Sequence, residues 1–241
     1  AIVMRNRPED CGLFPDGIPP EEDTPRSNLS TEGQAFPTVM AKQEVSFTSI
    51  QALRTSTFWL MSAAMTVTSM ATSGVLVHFV VMLEGRGIDV ATASTLLGFV
   101  ALMSIPGRLG FTWLSDHFER RLLLAGLMVV LGMAILSMAQ MEGLVPFAIF
   151  TAVFAVTYGG AISVIEPLRA DYFGVRHFAT IMGFMRLVQA AGHFAGPLLA
   201  GAIYDLTHSY VIALSIFAVC IFIGAICMFV ARRPSLSEES C

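Results

Sequence analysis

Charged residues are scarce in this chain. Only 13% of its 241 residues are Asp, Glu, Lys or Arg, whereas a soluble domain has about 25%. Apolar residues make up 55% and the mean hydropathy is +0.70. They occur in blocks of the length that a helix needs to cross about 30 Å of hydrocarbon, which is about 20 residues. The sequence therefore excludes a water-soluble domain and predicts an all-α membrane protein.

The chain also lacks the patterns of a metal centre, a disulfide scaffold or a membrane enzyme. Its four cysteines form neither a C-x-x-C pair nor a dense framework, so neither a zinc site nor a disulfide scaffold is indicated. It contains no H-E-x-x-H, no G-x-S-x-G and no paired acids inside the apolar blocks, so an enzyme is the least favoured class. We expect no catalytic residue, no metal, no cofactor and no nucleic-acid partner.

The hydropathy pattern divides the chain into three segments. Residues 1–56 are rich in Pro, acidic residues, Ser and Thr, and predict a linker that ends in a short amphipathic helix at the membrane surface. Residues 57–231 predict a six-helix transmembrane bundle, and residues 232–241 a cytoplasmic tail. The six predicted spans are 57–83, 91–114, 122–141, 144–166, 178–203 and 209–231.

The Lys and Arg residues predict the orientation in the membrane. Eleven of the fourteen lie before the first span or after the second, fourth and sixth. Only Arg86 lies in a loop on the other side, and Arg108 and Arg186 fall within spans. By the positive-inside rule, both termini are expected in the cytoplasm of a multi-pass cell-membrane protein.

A weak internal similarity relates the two triplets of spans. The second span ends in Thr-Trp-Leu-Ser-Asp116 and the fifth in Gly-Ala-Ile-Tyr-Asp205. Each is the middle helix of its triplet, but the two end on opposite sides of the membrane. An inverted three-plus-three repeat predicts this arrangement, and chance similarity is the alternative.

Four polar residues within the spans are candidates for substrate binding. Arg186, Gln189 and His193 follow at spacings of three and four, which places them on one helix face. Arg108 and Arg186 each lie about 12 Å from the cytoplasmic end of their spans by helix rise. Two guanidiniums at similar depth suit a carboxylate or another anion. The alternatives are that each arginine snorkels or pairs with a carbonyl or an acid such as Glu166, and that His193 is a packing residue instead of a binding or proton-relay group.

Two proline–glycine pairs lie at matching places in the two triplets. Pro106 precedes Gly107 in the second span, and Gly196 precedes Pro197 in the fifth. Proline weakens the helical hydrogen-bond ladder. We therefore consider Pro106, Gly196 and Pro197 as gating hinges, with bent packing helices as the alternative.

The stretch from Gly107 to Arg121 resembles the loop signature of the major facilitator superfamily, G-x-L-x-D-R-x-G-R-R. Leu114, Asp116, Arg120 and Arg121 match this signature. It departs at three positions, where other residues replace the usual Gly, Arg and Gly: Thr112, His117 and Glu119. In the family, the acid and the basic residues of this loop latch the helix ends of the opposite half, so the resemblance implies gating roles for Asp116, Arg120 and Arg121.

Four further stretches are similar to the monocarboxylate transporter-like and oxalate/formate antiporter-like branch: 5–17, 52–59, 171–176 and 196–205. The resemblance implies that the six spans are the C-terminal half of a twelve-helix transporter, whose N-terminal six-helix half is absent from this sequence. It implies in addition that residues 1–56 are the cytoplasmic central loop between the two halves. It also implies that Arg108 binds a substrate carboxylate. Some members carry an acid four residues before this arginine, where this chain has Ser104, which puts proton coupling through that position in doubt.

The sequence thus predicts transmembrane transport of a small, monocarboxylate-like organic anion by alternating access. The alternative function is a membrane receptor or scaffold on a transporter fold that transports nothing. The linker-like start of the chain favours a fragment over a half that pairs with itself.

Overall fold

The computed structural model describes residues 47–234, and every regular element in this range is an α-helix. The predicted cytoplasmic loop over residues 1–46 and the tail residues 235–241 lie outside the described range. One short and six long helices follow in chain order: α1 (Ser49–Arg54), α2 (Ser56–Glu84), α3 (Val90–His117), α4 (Arg120–Met138), α5 (Leu144–Phe173), α6 (Phe178–Thr207) and α7 (Val211–Val230).

Five of the six long helices are long and apolar enough to cross a membrane, namely α2, α3, α4, α5 and α7. Helix α6 is as long as α5, at 30 residues. Its Arg186, Gln189 and His193 lower its hydropathy. The prediction of a multi-pass helical membrane protein is confirmed, and the sixth span stays a prediction.

Helix α1 is present where the sequence predicts a short surface helix. The Thr48 side chain accepts from the backbone of Gln51, and the Gln51 side chain accepts from the backbone of Thr48. This reciprocal capping box satisfies two amide groups at the helix start. The indole of Trp59 donates to the Leu53 carbonyl at 2.9 Å, which ties the end of α1 to the first turns of α2.

Helix α5 is longer than the sequence predicts. The span was expected to end at 166, with a turn from Arg169, but the helix continues to Phe173. Gly174 ends it at a φ of 75°, a backbone conformation that glycine adopts without strain. The charged residues before Gly174 therefore belong to the helix, which changes the position of Arg169 from a loop to a packed interface.

The helices pack in a reciprocal pattern. Helix α2, the first of its triplet, packs mainly on α6, the middle helix of the other triplet, and also on α7. In the same way α5 packs mainly on α3 and also on α4, and the two last helices, α4 and α7, pack on each other. The first helix of each triplet thus packs on the middle helix of the other, which is compatible with the predicted inverted repeat.

Glycines let the main helix pairs approach closely. Between α3 and α5, a Cβ at Gly107 would collide with the Val156 backbone, and one at Gly159 with the Ser104 backbone. Between α2 and α6, Gly196 contacts the Met70 backbone in the same manner. Helices in lipid gain little from the hydrophobic effect, so close backbone packing of this kind stabilises the bundle.

Arg86 lies in the loop between α2 and α3 and caps the C-terminal end of α4. Its guanidinium donates to the carbonyls of Met138 at 2.7 Å and Ala139 at 3.2 Å. It also lies over the Phe147 ring, 5.2 Å from the centroid. Burial lowers the pKa of the Arg86 guanidinium, and the nearby Glu142 carboxylate acts in the opposite direction. Arg86 therefore satisfies helix-end carbonyls that α4 leaves without amide partners.

We predict that Gly107→Ala destabilises the bundle, whereas Gly110→Ala changes its stability little. The two glycines lie one turn apart on α3, but a Cβ at Gly110 has no atom within 4 Å. Overpacking at Gly107 is expected to cost about 1–3 kcal/mol. The melting temperatures of the two detergent-solubilised variants check this, and equal values would contradict the close packing of α3 on α5.

Candidate functional site

A cavity of about 450 Å³ lies between α2, α5 and α6. Hydroxyl groups of α2 line one side, from Thr68, Ser69 and Thr72. Most of the other lining residues are apolar, from all three helices and from Leu131 of α4. A cavity with mostly apolar walls and a few polar groups is the form that small-molecule sites take.

Charged groups meet at one end of the cavity. Arg186 on α6 donates from Nη2 to Oε1 of Glu166 on α5, at 2.5 Å. Arg169, one turn beyond Glu166, donates from Nη1 to the same oxygen at 3.3 Å. The Arg186 side chain is 58% exposed and that of Glu166 33%, whereas that of Arg169 is 2% exposed. One carboxylate oxygen thus serves a buried cation and a cation that faces the cavity.

The buried Arg169 has few other partners. Within residues 47–234, the only other partner of its guanidinium is the Met182 sulfur, at 3.7 Å, and its Nε has no hydrogen-bond partner. Thioether sulfur is a weak acceptor. A buried charge with one shared counter-charge is costly, so Arg169 holds Glu166 at this end of the cavity.

Uncharged polar groups line the cavity beyond the charged end. Gln189 donates from Nε2 to Ser69 Oγ at 2.7 Å, while its Oε1 is buried with no partner in residues 47–234. His193 also lines the cavity. Seven residues separate it from Arg186, about 10 Å along a helix. The cavity therefore offers a cationic end and, about two turns away, hydrogen-bonding groups.

Helix α2 supports α6 on both sides of its proline. Pro197 has no N–H to donate to the His193 carbonyl, and Ser73 Oγ donates to this carbonyl instead, at 2.9 Å. His78 Nε2 lies 3.0 Å from the Pro197 carbonyl, and its Nδ1 lies 3.2 Å from the Tyr210 hydroxyl. Because a carbonyl can only accept, Nε2 carries the proton. Helix α6 runs unbroken through this place, and a hinge here stays a prediction.

The cavity brings together three of the four predicted binding residues. Arg186, Gln189 and His193 all line it, as their shared helix face predicts. Arg108 is exposed on α3 and is not among the lining residues, so its binding role stays a prediction. The sequence alternative that Arg186 pairs with Glu166 also describes what is present.

The loop signature residues pair with neighbours at the adjoining ends of α3, α4 and α5. Arg120 bridges Asp116 at 3.4 Å and Asp171 of α5 at 2.6 Å. Arg121 pairs with Glu119 at 3.0 Å. These are partly exposed pairs, each worth about 0–1 kcal/mol. Pairs of this strength can exchange partners, and the gating roles of Asp116, Arg120 and Arg121 stay predictions, as does that of Pro106, which lies inside the continuous α3.

Sequence reasoning missed Arg169 and Ser69 as members of the site. The fourth predicted span ends at 166, which places Arg169 in a loop. Its spacing of three from Glu166 is the signal that would have placed both on one helix face, once α5 was extended. Ser69 carries no such signal, since a hydroxyl within an apolar helix is common. Within residues 47–234, no three His, Cys, Asp or Glu side chains are placed to hold a metal ion.

We predict that the cavity is hydrated, whereas the outer face of α7 is in contact with lipid. In a variant without native cysteines, Ala190→Cys on the cavity wall should react with a water-soluble methanethiosulfonate reagent. Ile226→Cys, at a side chain that is 63% exposed on α7, should not react, because the thiolate that attacks the reagent forms only in water. Equal labelling of the two positions would contradict the prediction that the cavity is hydrated.

Comparison with known proteins identifies transporters as relatives. No protein-family model matches the chain. It is 23% identical over 149 residues to monocarboxylate transporter 9 of Pongo abelii, a match over 62% of this chain and 27% of that protein. It is 26% identical over 171 residues to the uncharacterized MFS-type transporter YhjX of Escherichia coli (strain K12), over 69% of this chain and 40% of that protein.

The match therefore spans less than half the length of either relative. Both relatives are named as transporters, one of them as an MFS-type transporter, and neither is named as an enzyme. The resemblance to the major facilitator superfamily that the sequence motifs carry is confirmed over most of the chain.

Proposed function

We propose that this chain is the C-terminal six-helix half of a secondary transporter that moves a small organic anion across the cell membrane by alternating access. The observation that carries this proposal is the cavity, with the Arg186 guanidinium at one end and apolar walls beside it. The relatives support transport in general, and the name of one of them includes monocarboxylates. The substrate class is therefore argued from the cavity and supported by that name.

The charges of the cavity favour an anion. A guanidinium has a planar fork of donors that matches a carboxylate and binds it through two hydrogen bonds. Arg186 is more than half exposed, so its remaining donors are accessible from the cavity. The apolar lining would contact a short carbon chain, and Gln189 and His193 would bind a polar group on it.

The proposal includes six spans, with both termini in the cytoplasm. The packing exchange of α2 on α6 and α5 on α3 is what two inverted triplets produce around a pseudo-two-fold axis. The positive-inside count supports the orientation. The N-terminal half, which the relatives' greater length accommodates, would close the open side of the cavity. Rocking of one half against the other would then expose the cavity to each side of the membrane in turn.

Arg108 and the predicted gating residues belong to the same proposal. Arg108 is exposed on α3, where it would face the other half or a lipid headgroup. The Arg120 pairs with Asp116 and Asp171 would rearrange as the cytoplasmic ends of the helices separate. The prolines in α3 and α6 would allow these helices to bend during that motion.

We predict that Arg186→Gln lowers uptake of labelled lactate into proteoliposomes that hold the complete transporter by about tenfold or more, the loss expected for a charge-assisted hydrogen bond. Arg176→Gln, which removes an equal charge from an exposed loop residue, serves as the matched control. Uptake by Arg108→Gln is measured separately, because the Arg108 side chain lies outside the cavity.

Two outcomes would contradict the proposal. If Arg186→Gln takes up lactate as fast as the control variant, Arg186 does not bind the anion and the cavity is not its site. A wild-type protein that takes up none of a panel of small organic acids would favour a non-transporting receptor or scaffold.

A further inference from the structure

Among residues 47–234, the charged end of the cavity contains two guanidiniums and one carboxylate. Arg169 and Arg186 supply two positive charges, and Glu166 supplies one negative charge. His193 lines the same cavity but lies about two helical turns from Arg186, which leaves it outside this cluster. The cluster thus has a surplus of one positive charge before any substrate is present.

The surplus faces the cavity because Arg169 is the buried member. Its side chain is 2% exposed, against 58% for Arg186, so solvent reaches only Arg186. Glu166 Oε1 lies 2.5 Å from Arg186 and 3.3 Å from Arg169. The carboxylate therefore lies closer to the exposed Arg186. The buried Arg169 depends on it more, because a buried charge without a counter-charge is costly.

A substrate carboxylate that binds Arg186 would end the sharing of Glu166 between two arginines. When a substrate carboxylate binds Arg186, Glu166 is released to pair fully with Arg169, and each guanidinium then has its own counter-charge. Three residues separate Glu166 and Arg169 on α5, so this exchange needs only side-chain rotation. A second substrate carboxylate would find no unpaired cation at this end of the cavity.

We propose that Glu166 determines the charge of the transported anion: it neutralises one of two arginines and so selects monoanions over dianions. This inference rests on the proposed function of the cavity as an anion site. Arg169 is a positioning residue in this scheme, because it acts on the substrate only through Glu166. If Glu166 lost its charge, the surplus would rise to two and a dianion would become the better partner.

Four variants and the wild type test this scheme by binding measurements on the complete transporter, with propionate and malonate as probes. These acids each have three carbons and differ by one carboxylate. Glu166→Gln should raise the preference for malonate over propionate by about tenfold or more. Arg169→Gln should weaken propionate binding by a similar factor, because Glu166 then neutralises Arg186 completely. The double variant has only Arg186 left and should recover the wild-type preference for propionate. Glu84→Gln, at an exposed residue at the end of α2, controls for the loss of a carboxylate elsewhere.

The recovery by the double variant separates selection from structural support. A merely structural Glu166 would leave the ratio of malonate to propionate affinity unchanged in every folded variant, and this result would overturn the inference. If Glu166→Gln alone fails to fold, the propionate affinities of the other two variants decide the question. Arg169→Gln should bind propionate about tenfold more weakly than the wild type, and the double variant should regain the wild-type affinity. Equal propionate affinities in wild type, Arg169→Gln and the double variant would overturn the inference. Wild-type protein that binds propionate while the variants keep its preference overturns only the selection by Glu166. Wild-type protein that binds neither probe nor any other organic acid overturns the proposed function as well.

Discussion

The close backbone contact between helices of opposite triplets is the constraint on which this fold depends. In hydrocarbon, apolar side chains gain little by leaving lipid for a neighbouring helix, so stability comes from tight packing and hydrogen bonds. Gly107 and Gly159 bring α3 onto α5, and Gly196 brings α6 onto α2. The cavity lies where α2, α5 and α6 leave space between them.

The polar groups of α2 have two roles in this arrangement. Ser73 and His78 hydrogen-bond the carbonyls at the proline of α6, so that a proline in the helix interior leaves no unpaired His193 carbonyl. Ser69, one turn earlier than Ser73, bonds Gln189 at the cavity wall. The same helix face thus stabilises the packing of α6 and orients a side chain of the candidate site.

The cluster of Glu166, Arg169 and Arg186 lines one end of the cavity and also pairs the buried charge near the end of α5. Arg169 is buried because α5 remains helical as far as Gly174, which packs the arginine against α6 near Met182. It needs a carboxylate nearby, and Glu166 is the one that the helix supplies one turn away. The same carboxylate contacts Arg186. A structural requirement at the end of α5 therefore sets the charge at this end of the cavity.

Much of the fold and part of the site follow from the sequence alone. The hydropathy blocks determine that the long helices lie in a membrane, because no water-soluble surface tolerates them. Helical spacing determines that Arg186, Gln189 and His193 share a face, and the loop motif after Gly107 indicates the family. Local patterns, however, do not say which helix faces meet. That Glu166, twenty residues before Arg186, shares its carboxylate with a buried Arg169, and that Arg108 lies outside the cavity, depend on how α3, α5 and α6 pack. Only the tertiary structure decides this, because contacts between distant segments are set by the geometry of close helix crossings and not by the periodicity of any one helix.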